Sequence, residues 1–75
     1  MAQITCEIVK EIGVIRTMPN GQNKEVNLVS WNGAKPKIDI REWDEDHNKC
    51  SRGITLQEDD AKRVVEILTE YFKEA

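Results

Sequence analysis

The chain has 75 residues with 14 acids against 11 bases, a net charge of −3, so it is a single domain (1–75) too short to bury a large core, and chains of this size are usually completed by a staple or a partner. Two cysteines, Cys6 and Cys50, are too few for a disulfide framework and no charged-then-apolar leader precedes them, which predicts reduced thiols and a cytoplasmic location; no apolar run approaches the ~20 residues that cross a bilayer. The acidic total does not exclude a basic face, because residues 1–56 hold eight acids and eight bases while residues 57–75 hold six acids and three bases.

The first apolar pattern has period two. Ile4, Cys6 and Ile8 mark one strand, and the run Ile12–Thr17 marks another, with Gly13 as a bend or bulge between them. Pro19 and the pair Asn20-Gly21 predict a hairpin turn, since both residues of such a pair tolerate positive φ. A third strand over about Lys24–Trp31, a second Asn-Gly turn at Asn32-Gly33 and a fourth strand over about Lys35–Asp44 follow. Residues Asp44–Arg52 are polar and aperiodic, which predicts a loop, and Gly53–Leu56 leads into a helix.

That helix is predicted over about Glu58–Lys73. Ala61, Val64, Val65, Leu68, Tyr71 and Phe72 form one apolar stripe at helical spacing. Thr55 and Glu58 fit a capping box, and Glu58, Asp59 and Asp60 suit the positive end of the helix dipole. Ile67 widens the stripe, which fits either a second surface to cover or a broad core stripe.

Alternation along the fourth strand sends Ile38 and Ile40 toward the helix, and Lys37, Asp39, Arg41 and Trp43 to the uncovered face; on the third strand Trp31 fits either an open or a buried position. Cations that track phosphates beside aromatic rings that stack on bases are the parts of a single-stranded nucleic-acid platform, although a tryptophan beside lysines also fits a half-buried sheet residue.

The stretch from Lys37 to Leu56, in which KIDIREW, a polar loop and RGITL precede an amphipathic helix, resembles the DNA-binding domain of transcriptional positive cofactor four in order and spacing. With VSWN at Val29–Asn32 just before PKIDIREW, the chain looks like the small bacterial YdbC-type members of that family. The resemblance implies an α+β fold, a curved four-stranded antiparallel β-meander followed by one C-terminal amphipathic helix, that forms a homodimer in the bacterial cytosol or nucleoid. It also implies binding of single-stranded or melted DNA with little sequence preference.

Carried over position by position, the family's IDIRE arginine falls on Arg41 and the following aromatic at or next to Trp43. Lys49 and Arg52 stand for its basic loop, where His47, Cys50 and Ser51 replace further lysines and a glycine. The expected nucleic-acid contacts are therefore Arg41, Trp43, Lys37 and Trp31, with Lys35, Lys24, Arg16, Lys49 and Arg52 adding charge. Val65, Leu68 and Phe72 are the expected dimer contacts, and Asp44, Glu45 and Asp46 are expected to repel phosphate.

Other chemistry finds little support. His47, Cys50 and Cys6 are three soft donors where a structural zinc site wants four, no apolar pocket surrounds a carboxylate pair, and the glycines are spread one per turn. No metal, no cofactor and no enzymatic activity are expected. The alternative functions are a protein-interaction module that binds a partner such as RNA polymerase, favoured if Asp39, Glu42 and Asp44 dominate the open face, and an RNA binder.

Overall fold

The computed structural model describes residues 5–74. Four antiparallel strands, β1 (Cys6–Thr17), β2 (Asn23–Trp31), β3 (Lys37–Trp43) and β4 (Ile54–Leu56), form one sheet in the order β1-β2-β3-β4, and α1 (Glu58–Glu74) follows. The predicted α+β meander with a C-terminal helix is present, with a different division of strands. The two expected N-terminal strands are one strand, of which Ile4 lies outside the described residues, and the segment expected only to lead into the helix supplies β4.

Bulges explain the first difference. The β1–β2 pairing shifts between Ile8 and Lys10, between Glu11 and Gly13 and between Val14 and Arg16, so the hydrophobic period is interrupted while pairing continues. Each bulge adds twist and bends the strand, and Gly13 sits at the second of them. The sheet is accordingly curved.

The two Asn-Gly pairs behave differently. Asn32 and Gly33 both have positive φ, 52° and 75°, and Ala34 N–H donates to the carbonyl of Trp31 at 2.9 Å, closing a tight turn. Asn32 also anchors the start of β1: its Oδ1 accepts from Thr5 N–H at 2.8 Å. In the Met18–Gln22 loop only Gly21 is left-handed, at φ 89°.

The capping box does not form. The Thr55 hydroxyl lies in β4 and donates to Asp39 at 2.8 Å, while the first helical turn is closed by Ala61 N–H to the Gln57 carbonyl at 2.9 Å. Gln57 thus occupies the cap position, and the acidic first turn of Glu58, Asp59 and Asp60 opposes the dipole as expected.

Burial is inverted relative to an ordinary two-layer domain. The face bearing Val26, Leu28, Ile38, Ile40 and Leu56 is only half-buried, whereas Glu25, Asn27, Val29, Asp39 and Trp43 on the opposite, inwardly curved face are buried. The cause is that α1 touches only β3 and β4, and from Glu58 to Lys73 only Ala61 is even half-buried. Val65, Leu68 and Phe72 stand 63%, 47% and 66% exposed. No helix among the described residues is long and apolar enough to cross a membrane.

Candidate nucleic-acid interface

In an antiparallel ladder, paired residues share a face. Val29 pairs with Lys37, Asn27 with Asp39, Glu25 with Arg41 and Asn23 with Trp43, and β4 adds Thr55 opposite Asp39. Trp31, two positions beyond Val29, belongs to the same face. At its end Trp31, Ala34, Lys35, Lys37, Arg41 and Thr55 line an open, largely apolar basin of about 370 Å³. Four of the expected contacts, Trp31, Lys35, Lys37 and Arg41, are thereby brought together from β2, β3 and the turn between them.

Arg41 is fixed from several sides. Its Nη2 donates to Asp39 Oδ2 at 2.8 Å and its Nε to Oδ1, its Nη1 donates to the Ser51 carbonyl at 3.2 Å, and its guanidinium lies 4.7 Å from the Trp31 ring centroid. The hydrogen bonds that Arg41 donates to Asp39 raise the Arg41 pKa above its ordinary value, so the cation is permanent. Asp39 is fully buried and also accepts from Thr55, so the arginine charge is largely compensated in place and the guanidinium orients the indole from a rigid fork. Lys35 and Lys37 are exposed and, among the described residues, make no ion pair, so the uncompensated positive charge of the basin is theirs. A neighbouring cleft past these lysines is bordered by Glu58 and Asp59 at the start of α1, which tempers that charge.

Trp43 corrects the expectation of an uncovered indole. It is 2% exposed, bridges to Cys50 and lies under His47, whose ring centroid is 5.8 Å away. A base stacks only on an accessible ring, so Trp43 is a core residue of the curved face and Trp31, half-buried at the basin, is the available indole. Sequence alternation assigned a side to Trp43 and left Trp31 undecided; the β2–β3 register puts both on one face, and curvature closes the Trp43 end of it.

The remaining cations are dispersed. Arg16 pairs across the ladder with Lys24, and Lys24 with Glu42, so these three occupy the opposite face from Trp31. Lys49 and Arg52 are exposed on the loop between β3 and β4. That loop is organised by Asp44, whose Oδ1 accepts the backbone N–H of Asn48 at 2.8 Å and of Lys49 at 3.0 Å. One of the three acids expected to repel phosphate is thus occupied in shaping the loop.

Two residues central to this geometry carried no sequence signal of a site. Thr55 read as a helix cap, and Gly53 as an ordinary turn glycine. A Cβ on Gly53 would overlap the Ile40 carbonyl oxygen and the Arg41 Cβ, so only glycine lets the loop strand approach β3 and deliver Ser51 and Thr55 to Arg41. The soft-donor trio His47, Cys50 and Cys6 does not assemble: His47 turns to Glu25 at 3.0 Å. The Cys6 thiol pKa is pushed up, by desolvation first and the nearby Cys50 thiol second, which disfavours the nucleophilic thiolate.

An uncharacterized protein of Treponema pallidum (strain Nichols) is 40% identical over 50 residues, 67% of this chain and 59% of the relative, so the match spans less than two thirds of the relative's length. Residues 18–67, which contain β2, β3, β4, the Arg41–Asp39–Thr55 lock and the first half of α1, match the family described as Transcriptional Coactivator p15 (PC4). With two thirds of its length inside that match and the sheet-then-helix order in place, the chain belongs to the Transcriptional Coactivator p15 (PC4) family, a membership that points to nucleic-acid binding and to a role connected with transcription.

Proposed function

We propose that this chain is a cytoplasmic homodimer that binds single-stranded DNA with little base preference in transcription regulation or in DNA replication and repair. The observation that carries the DNA reading is the basin in which an oriented indole, Trp31, lies beside the free lysines Lys35 and Lys37. An aromatic ring accepts any base by stacking, and lysines read only the backbone, so the chemistry is indifferent to sequence. The protein-interaction reading requires Asp39, Glu42 and Asp44 to dominate the open face. Asp39 is buried against Arg41, Glu42 lies on the other face and Asp44 shapes a loop, so that support is missing.

Exposed area supports the homodimer. The chain exposes 6126 Å², where a compact monomer of 8.6 kDa is expected to expose roughly 4,700 Å². Its radius of gyration of 13.8 Å likewise exceeds the roughly 11 Å of a compact chain of this length. The excess lies in the range that each subunit of a stable homodimer buries. The α1 stripe and the half-covered face bearing Leu28 and Ile38 supply complementary apolar surfaces.

Fluorescence anisotropy with labelled oligo-dT, duplex DNA and oligo-rU, at several salt concentrations, tests the binding. Oligo-dT is expected to bind far more tightly than duplex, and Lys35→Ala/Lys37→Ala to weaken it and lower the slope of log affinity against log salt by about 1.4, at ~0.7 per phosphate contact. No binding of oligo-dT at low salt overturns the DNA reading, and tighter binding of oligo-rU replaces it with RNA. Sedimentation equilibrium is expected to give twice the 8.6 kDa chain mass, and a monomer at all concentrations overturns the dimer.

A further inference from the structure

At the closed end of the curved face, six residues and ~20 Å of extended strand from Trp31, three donors converge from three elements. Glu11 comes from β1, Glu25 from β2 and His47 from the loop between β3 and β4. One ligand atom of each lies within 4.8 Å of the others. His47 Nε2 stands 3.0 and 3.1 Å from the two oxygens of Glu25 and 3.7 Å from Glu11 Oε1.

We propose that Glu11, Glu25 and His47 bind one divalent first-row transition-metal ion, of which Zn²⁺ is the probe. Ligand bonds of 2.0–2.2 Å to such an ion put neighbouring donors about 2.8–3.6 Å apart at octahedral to tetrahedral angles, and the His47 separations already match or nearly match that range. One imidazole with two carboxylates suits zinc or manganese better than calcium or magnesium, which take oxygen ligands.

Two further features of the surroundings suit an ion. The Glu25 side chain is only 3% exposed, yet among the described residues its sole charged partner is His47, and a second carboxylate, Glu11, faces the same imidazole. Independently, Asn27 is 1% exposed, its Nδ2 donates to Glu25 Oε1 at 3.0 Å as a supporting contact, and its Oδ1 has no hydrogen-bond partner. A buried acceptor with no donor beside a carboxylate pair fits the O–H of a metal-bound water.

The ion would tie β1, β2 and the loop carrying Lys49 and Arg52 at one point, and the site does not depend on DNA binding. Native mass spectrometry and thermal melts with ZnCl₂ test it, using the Cys6→Ser/Cys50→Ser protein so that thiols cannot bind the metal. One Zn²⁺ per chain is expected, with the melting temperature rising by roughly 10 °C or more at a hundredfold excess over Kd. Glu11→Gln, at a side chain 69% exposed and therefore safe for folding, and His47→Gln should each weaken binding at least about tenfold. No bound Zn²⁺ in the cysteine-free protein, or affinity in both variants equal to that of the cysteine-free parent, overturns the site and leaves a plain histidine–carboxylate pair.

Discussion

Replacing Arg41 with alanine tests whether this residue is chiefly a DNA contact or a structural lock. Its side chain is 13% exposed and its partner Asp39 is fully buried, so removing the guanidinium strands a carboxylate that retains only the Thr55 hydroxyl as donor. Breaking a buried pair from one side costs about 3–5 kcal/mol, and the lost stacking over Trp31 adds to it. With a urea dependence of about 1–1.5 kcal/mol per M for so small a chain, the unfolding midpoint should fall by roughly 2–5 M, or the variant should be unfolded in buffer. The assay is urea denaturation followed by far-UV circular dichroism, at one fixed protein concentration because association contributes to the apparent stability. Asp39→Leu/Arg41→Met, which removes both charges while keeping volume, should recover most of the loss. An Arg41→Ala protein that unfolds at the wild-type midpoint would refute the lock and return Arg41 to the role of a free phosphate contact.

Gly53→Ala should destabilise by about 1–3 kcal/mol in the same assay, because its methyl group must displace either the Ile40 carbonyl or Arg41. The two tryptophans should separate cleanly: Trp43→Ala should lower stability by about 3–5 kcal/mol, while Trp31→Ala should stay folded and lose about 1–3 kcal/mol of oligo-dT affinity in the anisotropy titration. Equal loss of stability from both would contradict the assignment of Trp31 to the basin. Val65→Glu/Leu68→Glu, which places charge on the uncovered helix stripe, should sediment as the 8.6 kDa chain and lose the concentration dependence of its melting temperature.

Much of the architecture was legible without coordinates because it is written in local periods. The helix over Glu58–Glu74 follows from an apolar stripe at helical spacing behind an acidic first turn, and the faces of β3 follow from strict alternation between Lys37 and Trp43. Both patterns depend only on backbone geometry. The union of two expected strands into β1 did not follow, since three bulges break the period without breaking the pairing. β4 did not follow either, because three residues are too few to show alternation.

What the tertiary structure alone decided is which side of each pattern is covered and which distant residues meet. Alternation names two faces, but burial depends on curvature and on what lies against them. Here the bent sheet closes over Trp43 and Asp39, and α1 leaves the aliphatic face half-open. Thr55 changes from a helix cap to the donor that completes Asp39, and Gly53 from a turn residue to the point of closest approach to Arg41, because β4 pairs with β3. Glu11, Glu25 and His47 are 14 and 22 residues apart along the chain, and no local pattern relates them. A sequence by itself determines the periodic, near-neighbour part of a fold; contacts that close long loops depend on the packing of the whole chain, and the functional clusters of this protein are made of those.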